Sequence, residues 1–291
     1  MNDLAKPALE PLPDLIVEPA VRAALIEDLG RAGDITTNAT IGAEDRARVV
    51  IAARQSGHVS GLSFARLAFA VLDPEAVFET RIADGHACKP GEVIAAISAR
   101  TRALLSAERV ALNYAGRLSG IATLTAAFAA EIAHTKAKII DTRKTTPGWR
   151  AFEKYAVRCG GGANHRFGLD DVILIKDNHV AAAGGIAESI RRARAYSGHM
   201  VKLECEVDSL SQLREALEAK ADIVLLDNMS NDQLCEAVVI NAGRATLEAS
   251  GNVTLKTVRW IAETGVDLIS SGALTHSAPV LDIGLDFEAV L

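Results

Sequence analysis

From residue 137 onward, five short apolar runs of this 291-residue chain end on side chains that can do chemistry. "AKIID" continues into "DTRKTTPGWR", which places Asp141, Arg143, Lys144 and Arg150 within ten residues. "DVILIKD" closes on Lys176 and Asp177, "VKLECEVD" carries Glu204 and Glu206, "ADIVLLDN" closes on Asp227 and Asn228, and "VDLISSGA" carries Ser270 to Gly272. Clustered cations suit a carboxylate or phosphate, which a guanidinium grips with two parallel N–H bonds. Acids on the same rim suit ribose hydroxyls or a Mg²⁺ ion that keeps part of its water, or else they neutralise the cations. Lys176 directly follows Val172 to Ile175, so it needs a partner or a ligand unless it snorkels to a solvated rim.

Between the first two runs lies "YAVRCGGGANHRFGLDD", where Gly160 to Gly162 precede His165 and Arg166. Three glycines suit a flexible loop or a phosphate cradle, but their spacing matches neither a P-loop nor GxGxxG, so no nucleotide fold follows. "EASGNV" and "ISSGAL" each place Ser-Gly after an apolar run, which reads either as a tight turn or as a backbone phosphate site. A phosphorylated sugar reacting with a small acid would use the cations, the acids and the glycine loops together.

These groups converge only if the elements beneath them are arranged to bring them together. The apolar runs alternate with helix candidates such as "GIAESIRRARAYS", "SLSQLREALEAK", "NDQLCEAVVINAG" and "TLKTVRWIAETG". That alternation predicts parallel strands in a sheet or barrel, whose C-terminal ends share one face. Up to about Ser106 the pattern is instead mixed, with helices at "VRAALIEDLG" and "GLSFARLAFAVL" and strands at "RARVVIAAR", "AVFETRI" and "EVIAAIS". A helix with Leu118, Ile121, Leu124, Phe128 and Ile132 at helical spacing bridges the two patterns. The fold class is therefore α/β.

Composition agrees. Hydrophobic residues are 49% and charged residues 23%, as in globular proteins, and aromatics are only 4%, which leaves Ala, Val, Leu and Ile to build the core. The net charge of −6 argues against a general nucleic-acid binder. No apolar stretch reaches the roughly 20 residues of a membrane span, and the proline-rich start "MNDLAKPALEPLPDL" reads as a tail and not as a signal peptide. Cys88, Cys159, Cys205 and Cys235 lack zinc-site spacing and suit a reducing cytoplasm.

"DTRKTTPGWR", "EKYAVRCGGGANHRFGLDDVILIKDNHV", "DIVLLDNM", "EASGNV" and "DLISSGALTHSAPVLDIGLDF", in this order, strongly resemble the quinolinate phosphoribosyltransferases, also called nicotinate-nucleotide pyrophosphorylases. "IEDLGRAGDITTNA" and "SAERVALNYAGRLSGIAT" extend the resemblance over nearly the whole chain. It implies an N-terminal α/β sandwich, residues 1–117 completed by 275–291, and an incomplete parallel α/β (TIM-like) barrel, residues 118–274. The reaction it implies joins quinolinate to 5-phosphoribosyl-1-pyrophosphate with Mg²⁺, giving nicotinate mononucleotide, pyrophosphate and CO₂ in de novo NAD biosynthesis.

By the family pattern Thr142, Arg143, Lys144, His165, Arg166 and Lys176 bind quinolinate, and Arg109 reaches in from the neighbouring subunit of a homodimer or of a hexamer built from dimers. Glu206 and Asp227 match the acids near ribose and metal, acting on Mg²⁺ through water or substrate, and with Lys144 and Lys176 they form the implied catalytic set. Glu204 faces the same side of its strand as Glu206 and is a candidate to share its role. Ser250, Gly251 and Asn252, with Ser270, Ser271 and Gly272, match the phosphate loops. Three alternatives stand beside this: a sister enzyme for another acidic substrate, a non-catalytic phosphosugar-binding barrel, and an enzyme using Lys176 as a Schiff-base nucleophile.

Overall fold

The two sequence patterns resolve into sheets of opposite character in the computed structural model, which describes residues 9–290. The first eight residues of the expected tail lie outside them. The chain opens with α1 (Asp14–Leu29), α2 (Ile35–Thr40), β1 (Arg46–Ala53), β2 (Gly57–His58), α3 (Leu62–Leu72), β3 (Val77–Thr80), β4 (Ala87–Cys88) and β5 (Val93–Arg100). The long helix α4 (Thr101–Glu131) follows β5 directly, and β6 (Lys138–Ile140) and α5 (Arg150–Cys159) come next. Alternation then runs β7 (Ile173–Ile175), α6 (Asp177–Ala183), α7 (Ile186–Tyr196), β8 (Leu203–Val207), α8 (Leu210–Glu218), β9 (Ile223–Asp227), α9 (Asn231–Asn241) and β10 (Thr246–Ser250). The chain closes with α10 (Val258–Glu263), β11 (Leu268–Ser270), α11 (Ala273–His276) and β12 (Ile283–Val290).

The chain divides into two units. The first comprises residues 1–124, 151–161 and 278–291, and the second 125–150 and 162–277. In the first, an antiparallel sheet has the order β12-β1-β5-β3. β1 shows why it forms: Ala47, Val49 and Ile51 are fully buried at alternate positions, while Arg48 on the other face pairs with Glu79 and Glu288. α1 buries Val17, Val21 and Leu25 at helical spacing and ends at Gly30, whose φ of 55° few other residues adopt readily.

The compact units differ in two ways from the expected domains, divided at residues 117/118 and 274/275. The units part at 124/125 and 277/278, and residues 151–161 join the first unit although they lie between strands of the second. Packing explains the insertion. Phe152 of α5 meets Phe64 edge to face at 4.8 Å, Tyr155 Oη donates to Asp84 Oδ2 at 2.8 Å, and Ser60 Oγ donates to Cys159 Sγ at 3.3 Å. Buried Glu153 also accepts from Arg117 at 3.3 Å. Within this unit, residues 278–281 lie on a glycine face of α4: Leu281 N donates to Gly116 O at 3.0 Å, and Pro279 O lies where a Cβ of Gly120 would stand.

In the second unit six strands run parallel in the order β6-β11-β10-β9-β8-β7. Among the described residues β6 and β7 do not pair with one another, so the barrel stays open. Leu203, Cys205, Val224, Leu226, Leu247, Ala249 and Ile269 supply its buried strand residues. All six strands deliver their C-terminal residues to one edge.

Candidate active site

That edge surrounds a cleft of about 300 Å³, lined by Thr142, Arg143, Lys144, His165, Arg166, Lys176, Glu206, Asp227, Ser250 and Ser270, with Leu174, Leu225 and Glu248. Ten sequence-expected residues therefore meet on one surface.

Asp141 is the anchor. Fully buried at the end of β6, it accepts from His165 N at 2.9 Å and from Asn164 Nδ2 at 2.5 Å, and its own N–H donates to Ala163 O at 3.3 Å. The glycine-rich segment thus returns to the strand end and presents His165 and Arg166 to the cleft. Arg150, the third cation of "DTRKTTPGWR", is a brace. It donates to Thr145 Oγ1 at 3.1 Å, Phe167 O at 3.0 Å and Arg143 O at 3.4 Å, holding both loops.

Arg143 has a buried Nε with no hydrogen-bond partner among the described residues, a donor that an anion in the cleft would satisfy. Burial, and then repulsion from Arg143, pull the Arg166 guanidinium below its ordinary value, so an anion between them relieves both. Lys144 is held by its carbonyl, which accepts from Thr275 Oγ1 at 2.7 Å, and its side chain passes where Gly272 lacks a Cβ.

Lys176 does have a partner. Its Nζ lies 2.5 Å from Glu206 Oε2, with the glutamate side chain 15% exposed and the lysine 47%. The ammonium is therefore neither sealed in the core nor free at the rim. Asp227 accepts from Asn228 Nδ2 at 2.7 Å. Asn228 and Asn252 adopt left-handed φ values of 54° and 51°, which asparagine tolerates better than most residues. Gly251 (φ 99°) lies so close to Asn228 that a Cβ would overlap its side-chain oxygen.

Gly251, Asn252, Ser271 and Gly272 do not line the cleft itself. Ser271 is buried and spends its N–H on Ile140 O at 3.0 Å, so it closes the sheet and leaves no amide for a phosphate. Arg109 belongs to the first unit, on α4, with its side chain 66% exposed and 4.0 Å from Glu108. Glu248 is the residue the motifs do not single out, although "TLEAS" puts it two residues before Ser250 on the same strand face. An acid inside an apolar run was the available signal.

Comparison with known proteins agrees with the motifs. Residues 34–119 match the family model for the quinolinate phosphoribosyl transferase N-terminal domain, and residues 121–286 match that for its C-terminal domain. The chain belongs to the quinolinate phosphoribosyltransferase family. Among curated members, the probable nicotinate-nucleotide pyrophosphorylase (carboxylating) of Bacillus subtilis is 44% identical over 90% of this chain and 90% of its own. The corresponding Mycobacterium leprae protein is 45% identical over 91% and 95%. The crystal structure of NadC from Streptococcus pyogenes superposes with a TM-score of 0.92 at 41% identity, covering 96% of this chain and 99% of that one. For a quinolinate phosphoribosyltransferase family member, the cleft at the strand ends is the candidate active site.

Proposed function

We propose that this chain transfers the phosphoribosyl group of 5-phosphoribosyl-1-pyrophosphate to the ring nitrogen of quinolinate, releasing pyrophosphate and then CO₂ to leave nicotinate mononucleotide. The observation that carries this is the cleft's charge plan. Arg143, Lys144, Arg166 and Lys176 face one space, with Glu206 and Asp227 on its rim. Quinolinate is a dianion that needs this many cations, and the acids suit the ribose.

In the mechanism, Arg143 and Arg166 take the carboxylates and set the ring plane, since forked guanidinium contacts fix orientation as well as charge. Lys144 and Lys176 hold the carboxylates as point charges. The ring nitrogen bonds to the sugar carbon as the bond to pyrophosphate breaks, and positive charge builds on the ribose. Glu206 and Asp227 stabilise that charge electrostatically. Holding both reactants in line supplies on the order of 7–11 kcal/mol in well-oriented cases. Once the nitrogen is quaternised, the bond to the 2-carboxylate breaks, its electron pair stays on the ring carbon, and a proton from water replaces CO₂.

Glu206 and Asp227 are hard oxygen donors on neighbouring strands, and one is already ion-paired with Lys176, a set that fits Mg²⁺ held through water and substrate phosphates. When bound, the ion neutralises charge on the departing pyrophosphate. Arg109, with its exposed guanidinium, is the residue we assign to a partner's cleft in a dimer. Four free cysteines support placement in the reducing cytoplasm, and no helix among the described residues is long and apolar enough to cross a membrane.

The test is release of pyrophosphate and CO₂ with phosphoribosyl pyrophosphate and Mg²⁺, comparing quinolinate with nicotinate. Both products with quinolinate alone support the assignment. Turnover with nicotinate alone moves the chain to a sister activity, and no turnover with either overturns the enzymatic reading. Inactive Arg109→Ala and Lys176→Ala subunits that regain activity when mixed would support the shared site.

A further inference from the structure

Three ionisable side chains meet at the wall of the cleft. His165 Nε2 lies 3.3 Å from Glu204 Oε2 and 3.6 Å from Glu248 Oε1, with both glutamate side chains 2% exposed and the imidazole 10%. They come from the loop between α5 and β7 and from β8 and β10. Each glutamate has an oxygen, Oε1, that is buried without a hydrogen-bond partner among the described residues. Buried carboxyls in this state need a proton, a cation or a reason.

Their ligand atoms all lie within 4.8 Å of one another, close enough for a metal ion to bridge. The second ring nitrogen decides against that. The backbone N–H of Arg166 donates to His165 Nδ1 at 2.6 Å, so Nδ1 offers its lone pair and the proton of a neutral ring sits on Nε2. A protonated nitrogen donates and does not ligate. His165 therefore points an N–H between the two carboxyls while its other nitrogen holds the backbone of the next residue.

We propose that Glu248 is a positioning residue of this cleft: it and Glu204 flank His165 Nε2 at 3.6 and 3.3 Å and keep the imidazole turned toward them, and the imidazole holds at Nδ1 the amide of Arg166, setting the guanidinium that meets quinolinate. The identity of that ligand rests on the function proposed above. Burial and the Glu204 charge raise the Glu248 carboxyl, which agrees with a proton held within the cluster. His165 is then a neutral pivot and adds no charge to the cleft. Asp141 fixes the same turn from its backbone side, so the turn is held at two points.

Two experiments on the full-length protein test this. With ¹⁵N-labelled histidine and a His165→Asn variant for assignment, the wild-type imidazole should show a bare Nδ1 and a protonated Nε2 at neutral pH. A doubly protonated ring or an Nδ1–H ring overturns the proposal, and this readout needs no substrate. In kinetics, Glu248→Gln keeps the shape of the side chain and a polar oxygen beside Nε2–H and should leave the quinolinate KM within about twofold. Glu248→Leu should raise it about tenfold or more, with the phosphoribosyl pyrophosphate KM changed less than about threefold. Equal shifts in both constants, or no effect of leucine, overturn it. If Glu248→Leu does not fold, the imidazole spectrum of the wild type still decides. A wild type that is inactive on quinolinate counts against the proposed reaction and leaves the imidazole result standing.

Discussion

Replacing Asp141 with asparagine tests how the cleft is held. Asp141 is fully buried and accepts on both of its oxygens, from His165 N and Asn164 Nδ2. The substituted side chain would keep one acceptor and turn its NH₂ toward the other donor. Loss of a hydrogen bond to a charged group costs about 1.5–3 kcal/mol, and a buried donor left facing another donor costs about 1–3 kcal/mol more. The sum is about 2.5–6 kcal/mol, a large part of the ~5–15 kcal/mol that holds a typical protein together. For a chain of 291 residues melting as one transition, this lowers the melting temperature by about 4–10 °C. Differential scanning calorimetry of Asp141→Asn beside Asn164→Ala gives the comparison. The second variant removes one partner and leaves the carboxylate intact, so it should lose less. A loss under about 1 kcal/mol for Asp141→Asn, or a larger loss for Asn164→Ala, would refute the anchor.

Other substitutions probe separate parts. Lys176→Arg should retain binding of quinolinate but turn over more slowly, because a fork cannot replace a point charge paired with Glu206 at 2.5 Å; full turnover in a steady-state assay would show that any cation serves there. Burial pushes the Cys159 and Cys205 thiols up to about 12 and also raises Cys88, whereas Cys235 is exposed. A thiol reagent at pH 8 should therefore modify one cysteine quickly in the native protein and all four in denaturant, and fast native reaction of a second would contradict the burial. Gly120→Ala puts a Cβ 1.9 Å from Pro279 O and should cost about 1–3 kcal/mol in a urea titration, with wild-type stability as the refuting result.

Much of the site was legible because chemistry and burial conflict in the sequence. A lysine after Val172 to Ile175, or an acid closing "IVLLD", is costly unless it has a task, so apolar runs with polar ends reveal both strand and rim. Where that conflict is absent, the sequence is mute. By residue type and local pattern Arg150 looks like Arg143; the family motif singles out Arg143, and the fold shows that Arg150 braces loops. Residues 151–161 carry an ordinary amphipathic pattern, and amphipathicity says that a face is buried without saying against what. Glu248 hides for a different reason: an acid inside an apolar run marks it locally, but its partners are 83 and 44 residues away in the chain, so nothing nearby says what the mark is for.

The sheet order of the first unit has a consequence for synthesis. β1 lies between β5 and β12, so one of its edges is completed only by residues 283–290. On a ribosome adding about 5–20 residues per second, β1 waits roughly ten to fifty seconds between its own emergence and that of its partner. Throughout that interval it presents open backbone donors and acceptors beside Val49 and Ile51. A truncation that stops at residue 282 would make the exposure permanent, and such a chain should accumulate in inclusion bodies or occupy chaperones even though every group of the cleft has been made.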